Sequence, residues 1–77
     1  MTSTPASNAS LPVGRRIQIW RIQRHMTRQE LAAMIDVSPN RLGNIETGRT
    51  SAYGYELARL AAVLNVAVLE LMDTPMT

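Results

Sequence analysis

The sequence predicts an all-α fold of four to five short helices around an aliphatic core, and three observations carry that expectation. Apolar residues recur at three- and four-residue spacings through most of residues 11–72, the period of helices that each bury one face. Two helix starts are spelled out chemically, in Thr27-Arg28-Gln29-Glu30 and in Ser38-Pro39. With 45% hydrophobic residues, only 4% aromatic and no phenylalanine, the core must be built from Leu, Ile, Val, Ala and Met.

Residues 1–10, MTSTPASNAS, show no apolar period and predict a disordered N-terminal arm. Asn8 or Ser10 is the expected cap of a first helix over residues 12–25, with Pro12 in its first turn. Val13, Ile17, Trp20 and Arg24 share one face of that helix, so Trp20 is read as core. The T-x-x-E box at Thr27 opens a second helix by satisfying two orphan backbone donors. Leu31, Ala32 and Ile35 bury its inner face, and it should stop by Ile35. Asp36 falls where a left-handed backbone is needed, a conformation that Asp tolerates better than most non-glycine residues. Ser38 as N-cap and Pro39 at the first helical position start a third helix. Leu42 and Ile45 face inward, and Gly48 ends it. Leu57, Leu60, Ala61 and Leu64 define a fourth helix that begins between Tyr53 and Tyr55, since Gly54 is a poor helix former. Residues 65–72 suit either a short fifth helix or, through their β-branched content, a strand; the helix is the preferred reading. Residues 73–77 form a C-terminal tail, so the expected domain spans residues 11–72.

A chain of 77 residues has room for one domain. A core this small is marginally stable alone, which favours pairing with a second copy. The absence of cysteine excludes disulfides, thiolate metal sites and cysteine nucleophiles. No secretory signal is visible, and the most apolar stretch, residues 57–72, is too short and too interrupted to span a bilayer. The expected location is therefore the cytoplasm. No carboxylate pair, Ser–His arrangement or glycine-rich phosphate loop is present, so neither an enzyme nor a bound cofactor or metal is expected. His25, the only histidine, ends a helix, where a cation suits the dipole. Charge is polarised along the chain: residues 15–49 hold seven arginines against three acids, and residues 50–77 one against three. All eight basic residues are arginine. Arginine forks match phosphates and guanine edges, which points to an anionic partner for the first half. A GC-rich genome, which favours arginine codons, is the alternative source.

The centre of the chain carries the functional signal. Leu31, Ala32, Ile35, Val37, Leu42 and Ile45, around the short turn Asp36-Val37-Ser38, fix two helices at a steep angle. The outer face of the second then presents Pro39, Asn40, Arg41, Gly43 and Asn44, small or hydrogen-bonding groups where ordinary helix filler would be expected. A plain solvated face is the bland alternative. Here the sequence resembles the lambda repressor/Cro-like (XRE) helix-turn-helix family over about residues 13–72. Val13-Gly14, Ile17, Trp20-Arg21, Met26-Thr27, Glu30-Leu31-Ala32, Val37-Ser38, Leu42, Ile45-Glu46, Gly48-Arg49, Leu60-Ala61, Leu64 and Val66 follow the family pattern in order.

The resemblance implies a compact four- to five-helix lambda-repressor-like DNA-binding domain. Residues 28–35 would cross the DNA backbone and residues 39–46 would lie in the major groove. It implies that Pro39, Asn40, Arg41 and Asn44 face base edges, and that Arg28, Gln29, Asn44 and Arg49 reach phosphates. Arg21 and Glu46 match a pair that clamps the first helix to the end of the third. Departures are Arg28 for a usual Gln, Asp36 and His25 for usual glycines, and Ala52 for a usual Pro. The implied function is a homodimeric transcriptional regulator on a pseudo-palindromic operator, a repressor of phage, plasmid or restriction–modification controller type. Its expected partners are double-stranded DNA, a second copy, and RNA polymerase or another regulatory protein, at the nucleoid and with no membrane. Ile19 and Ile22 lie opposite the Val13/Ile17/Trp20 face, and Leu69 stands where the family usually has a polar residue. These three mark a candidate dimer or partner surface, scattered exposed aliphatics being the alternative. A protein-interaction module, such as an antitoxin or anti-repressor reusing the fold, is the competing function class.

Overall fold

The computed structural model describes residues 11–72. The expected N-terminal arm, the cap candidates Asn8 and Ser10, and the tail 73–77 lie outside the described residues. Among the described residues four α-helices follow in order: α1 (Val13–Gln23), α2 (Arg28–Met34), α3 (Pro39–Glu46) and α4 (Gly54–Leu64), then a single 3-10 turn at Val68–Glu70. Among the described residues there is no strand.

The two chemically written starts form as expected. Thr27 Oγ1 accepts from the Glu30 N–H at 3.0 Å, and Glu30 Oε1 accepts from the Thr27 N–H at 2.8 Å. Ser38 Oγ accepts from the Arg41 N–H at 3.0 Å, with Pro39 opening α3. The start of α1 differs from expectation. Pro12 stands at the N-cap in extended backbone rather than inside the first turn, and no side chain caps the helix. Its fixed φ suits that position, and it has no N–H to leave unsatisfied.

One device closes all four helices. At His25, Asp36, Gly48 and Asn65 the backbone turns left-handed, with φ between 58° and 81°. The next residue then donates its N–H five residues back: Met26 to Arg21 O, Val37 to Ala32 O, Arg49 to Asn44 O and Val66 to Ala61 O, at 2.9–3.1 Å. These bonds satisfy carbonyls that a helix end otherwise leaves orphaned. Met26, Val37 and Val66 also pack against the core, so three of the closures are apolar plugs. The expected extension of α1 to residue 25 fails because of this closure: the left-handed turn at His25 ends the helix at Gln23.

Ile17, Leu31, Ala32, Ile35, Leu42, Ile45, Leu60, Ala61, Leu64 and Leu71 form the buried core. It is aliphatic throughout. Trp20 is half-buried against its edge. Gly14 lets α1 press on the end of α3; a Cβ there would sit 2.1 Å from the Ile45 carbonyl oxygen. The segment after α4 forms no strand, and the expected short fifth helix is reduced to the 3-10 turn at Val68–Glu70. The left-handed Asn65 redirects the chain, one 3-10 turn follows, and Leu71 inserts fully into the core.

Candidate nucleic-acid interface

Leu42 and Ile45 seat α3 against α2, so the opposite side of α3 is open. Pro39 and Asn40 are exposed there and Asn44 is half-buried. Neither asparagine side chain has a hydrogen-bond partner among the described residues. Gly43 lies between them, and its missing side chain is part of the geometry: a Cβ would stand 3.4 Å from Arg28 Nη1. The guanidinium of Arg28, from α2, therefore lies beside the backbone of α3.

Two buried carboxylates organise the arginines around this surface. Glu46 has a fully buried side chain. Its Oε2 accepts from Arg21 Nε at 2.7 Å, and its Oε1 accepts from Arg21 Nη2 at 3.2 Å and from Arg28 Nε and Nη2 at 3.1–3.2 Å. Arg21 also donates to the Met26 carbonyl at 2.9 Å. One carboxylate thus ties α1, the start of α2 and the end of α3 together. Unpaired, it would be costly; with two guanidinium groups it is satisfied.

The second carboxylate, Glu56, was not anticipated. It belongs to α4, is 1% exposed, and accepts from Arg41 Nε at 2.7 Å and Nη2 at 2.8 Å. Its Oε1 also accepts from the Tyr53 N–H at 2.8 Å, capping α4. Hydrogen bonding from Arg41 is the largest influence on its ionisation and holds the carboxyl below the ordinary glutamate range. Burial opposes this, while the Tyr53 N–H and the charges of Arg41 and Arg59 assist it. Arg41 also covers the ring of Tyr53 at 5.0 Å, Tyr53 stacks on Tyr55 at 5.8 Å, and Arg59 covers Tyr55 at 5.2 Å. Both tyrosines are exposed. The available sequence signal was the spacing Tyr53-x-x-Glu56, an N-cap and a reach-back acid.

The family resemblance implies that Arg41 is among the base-facing residues. In the structure its guanidinium turns from the open side of α3 to α4, because Glu56 offers a desolvated carboxylate within bidentate reach. Gln29, at the start of α2, and Arg49, just past α3, are exposed. Ile22 and Leu69 are exposed, at 56% and 65%. Ile19 departs from the expected opposite face: half-buried, it lines a groove of about 410 Å³ with Trp20, Leu11 and Leu69, rimmed by Arg16, Gln23 and Glu70. No helix among the described residues is long and apolar enough to cross a membrane.

A helix-turn-helix with a capped, core-anchored second helix and an open polar face defines a class of fold, that of the XRE, lambda-repressor-like regulators. Residues 17–71 match the helix-turn-helix family, and the chain belongs to it. The clp gene regulator ClgR from Corynebacterium glutamicum is similar in structure, with a TM-score of 0.74 and 29% identity over 77% of this chain and 63% of that one. SinR, the master regulator for biofilm formation, solved in complex with DNA, gives 0.72 and 30% over 77% of this chain and 95% of that one. The N-terminal DNA-binding domain of SinR from Bacillus subtilis gives 0.72 and 29% over 84% and 96%. A chain of the SinR/SinI complex gives 0.72 and 31% over 79% and 60%. This chain therefore spans less than two thirds of that ClgR chain. No curated protein sequence matches it.

Proposed function

We propose that this protein is a sequence-specific, DNA-binding transcriptional regulator that represses by occupying a pseudo-palindromic operator as a homodimer in the cytoplasm, at the nucleoid. The observation that carries the reading is the outer face of α3. It presents Pro39, Asn40 and Asn44 on a rigid, doubly anchored helix kept slim by Gly43. Asn40 and Asn44 would contact base edges, and Gln29, Asn44, Arg49 and the Nη1 of Arg28, which is not used in its bonds to Glu46, would grip phosphates on either side. Support also comes from SinR, a structural relative solved on DNA. Two copies would set their α3 helices about 34–36 Å apart, one helical turn of duplex. RNA polymerase or another regulatory protein would be the remaining partner.

Selection of bound sequences from a random duplex pool tests this reading. The expected product is an inverted repeat with half-sites one turn apart. Asn40→Ala and Asn44→Ala should each lose about 1–3 kcal/mol of discrimination at one position per half-site. Absence of any enrichment would refute the reading.

The exposed Ile22 and Leu69 and the groove beside Ile19 favour a second reading, a protein-interaction module of antitoxin or anti-repressor type. A relative seen in the SinR/SinI complex supports it as well. Retention on immobilised DNA across a salt gradient separates the two, since phosphate neutralisation makes binding fall steeply with salt. A shallow response favours the module.

A further inference from the structure

Arg41 sits on the recognition helix, yet its guanidinium is committed elsewhere. Both of its bonds to Glu56 are short, and the bidentate geometry fixes the plane as well as the direction of the fork. Glu56 has no freedom to follow it outward, because its side chain is buried and one oxygen also caps the Tyr53 N–H. The ring of Tyr53 holds the guanidinium from a second direction. Swinging Arg41 toward a base would break two short charge-assisted bonds and leave the Glu56 carboxylate with the Tyr53 N–H as its remaining hydrogen-bond donor. A bidentate guanine contact would replace those two bonds for the guanidinium. It would not replace the partner that the carboxylate loses.

What remains on the open side of α3 is chemically suited to A·T pairs. Asn40 and Asn44 carry side-chain amides without partners among the described residues, and an amide matches the N6/N7 edge of adenine. Pro39 is exposed and apolar, suited to a thymine methyl group. We propose that Glu56 is a positioning residue that withholds Arg41 from the bases, so that α3 reads its half-site through Asn40 and Asn44 as adenine rather than guanine. This rests on the DNA-binding reading above and deepens it by naming the bases and the residue that sets the choice.

The test compares motifs selected from a random duplex pool by the full chain and by variants. The wild-type protein should enrich adenine or thymine at the positions that depend on Asn40 and Asn44. The double variant Arg41→Met/Glu56→Gln removes both charges yet keeps a side-chain carbonyl for the Tyr53 N–H. It should enrich the same motif with affinity within about threefold, less than the loss of one base contact. Glu56→Ala releases Arg41 and should gain a guanine preference of roughly fivefold or more at one position per half-site. Arg41→Met/Glu56→Ala should abolish that gain. A guanine in the wild-type motif that disappears in Arg41→Met/Glu56→Gln overturns the proposal, as does a folded Glu56→Ala protein with unchanged preferences. If Glu56→Ala does not fold, Arg41→Met/Glu56→Gln alone decides. A wild-type protein that enriches nothing overturns the DNA-binding reading and this inference together, whereas an inverted repeat dependent on Arg41 overturns only the inference.

Discussion

Gly14 and Gly54 both sit in first turns of helices, and the structure gives them opposite meanings. A Cβ at Gly14 would collide with the Ile45 and Glu46 carbonyl oxygens, at 2.1 and 2.8 Å, and backbone atoms have little room to retreat. Gly14→Ala should therefore destabilise by about 1–3 kcal/mol or more, as overpacking does. A Cβ at Gly54 would meet nothing within 4 Å, and its φ is not left-handed. Gly54→Ala should stabilise by about 0.4–1 kcal/mol through the unfolded chain. Urea denaturation of the two variants should shift the midpoint in opposite directions. Glu56 provides a second test at this scale. Its carboxyl is depressed in the folded state, first by hydrogen bonds from Arg41, so the stabilisation is present above the unfolded glutamate value of about 4.3. It is lost as pH falls through the folded value. Glu56→Gln should flatten the fall in stability below that pH; an acid limb as steep as the wild type's would contradict the assignment.

At the scale of elements, the helices owe their ends more to backbone geometry than to propensity. Three of the four left-handed closures use a residue other than glycine: His25, Asp36 and Asn65. Asp and Asn tolerate that region, while His25 bears more of the penalty of roughly 1–2 kcal/mol. Glycine would add unfolded-chain entropy worth roughly 0.5–1 kcal/mol. The difference favours glycine, so His25→Gly should stabilise by about 0.5–1 kcal/mol in thermal or urea unfolding. A loss of stability would mean that the imidazole makes a compensating interaction at the end of α1. The clamp at Glu46 works on the same scale: it joins α1, α2 and α3 where Gly14 has already brought the backbones together. Close approach and ion pairing thus hold α3 at both levels, backbone and side chain.

For the molecule as a whole, the arginines have two distinct uses. Arg24 donates to the Leu64 carbonyl at 2.9 Å and covers Trp20, and Arg59 donates to the Ile35 carbonyl at 3.2 Å. Arg16 bonds the Leu11 and Met72 carbonyls. With Arg21, Arg28 and Arg41 on carboxylates, most of the positive charge staples helices to one another. The charge polarity of the sequence is thus as much a structural device as a signal of an anionic partner. The exposed apolar surface bears on association. Ile22 and Leu69 are open to solvent, and Ile19 lines the groove that Leu69 also borders. If this face pairs two copies, Ile19→Glu/Ile22→Glu should convert a dimer to a monomer in analytical ultracentrifugation while the helical circular dichroism is retained. An unchanged oligomer would exclude that face.

The sequence alone determined the features set by neighbours within one helical turn. The Thr27 and Ser38 caps, the left-handed Asp36, the closing Gly48 and the aliphatic stripes were legible because each depends on residues three or four apart. The left-handed turns at His25 and Asn65 were less legible: His25 was marked only by the family's usual glycine at that position, and Asn65, though of a type that tolerates the conformation, lies inside an apolar run with no other stop signal. The fate of residues 65–72 was undecided for a different reason: a short apolar run has no period of its own, and the insertion of Leu71 into the core settled it. Only the tertiary structure decided where the side chains of the candidate site point. Arg41 and Glu56 are 15 residues apart and Arg28 and Glu46 are 18 apart, so no local pattern links them. Their pairing depends on burial, which removes water from a carboxylate and makes the nearest guanidinium its necessary partner.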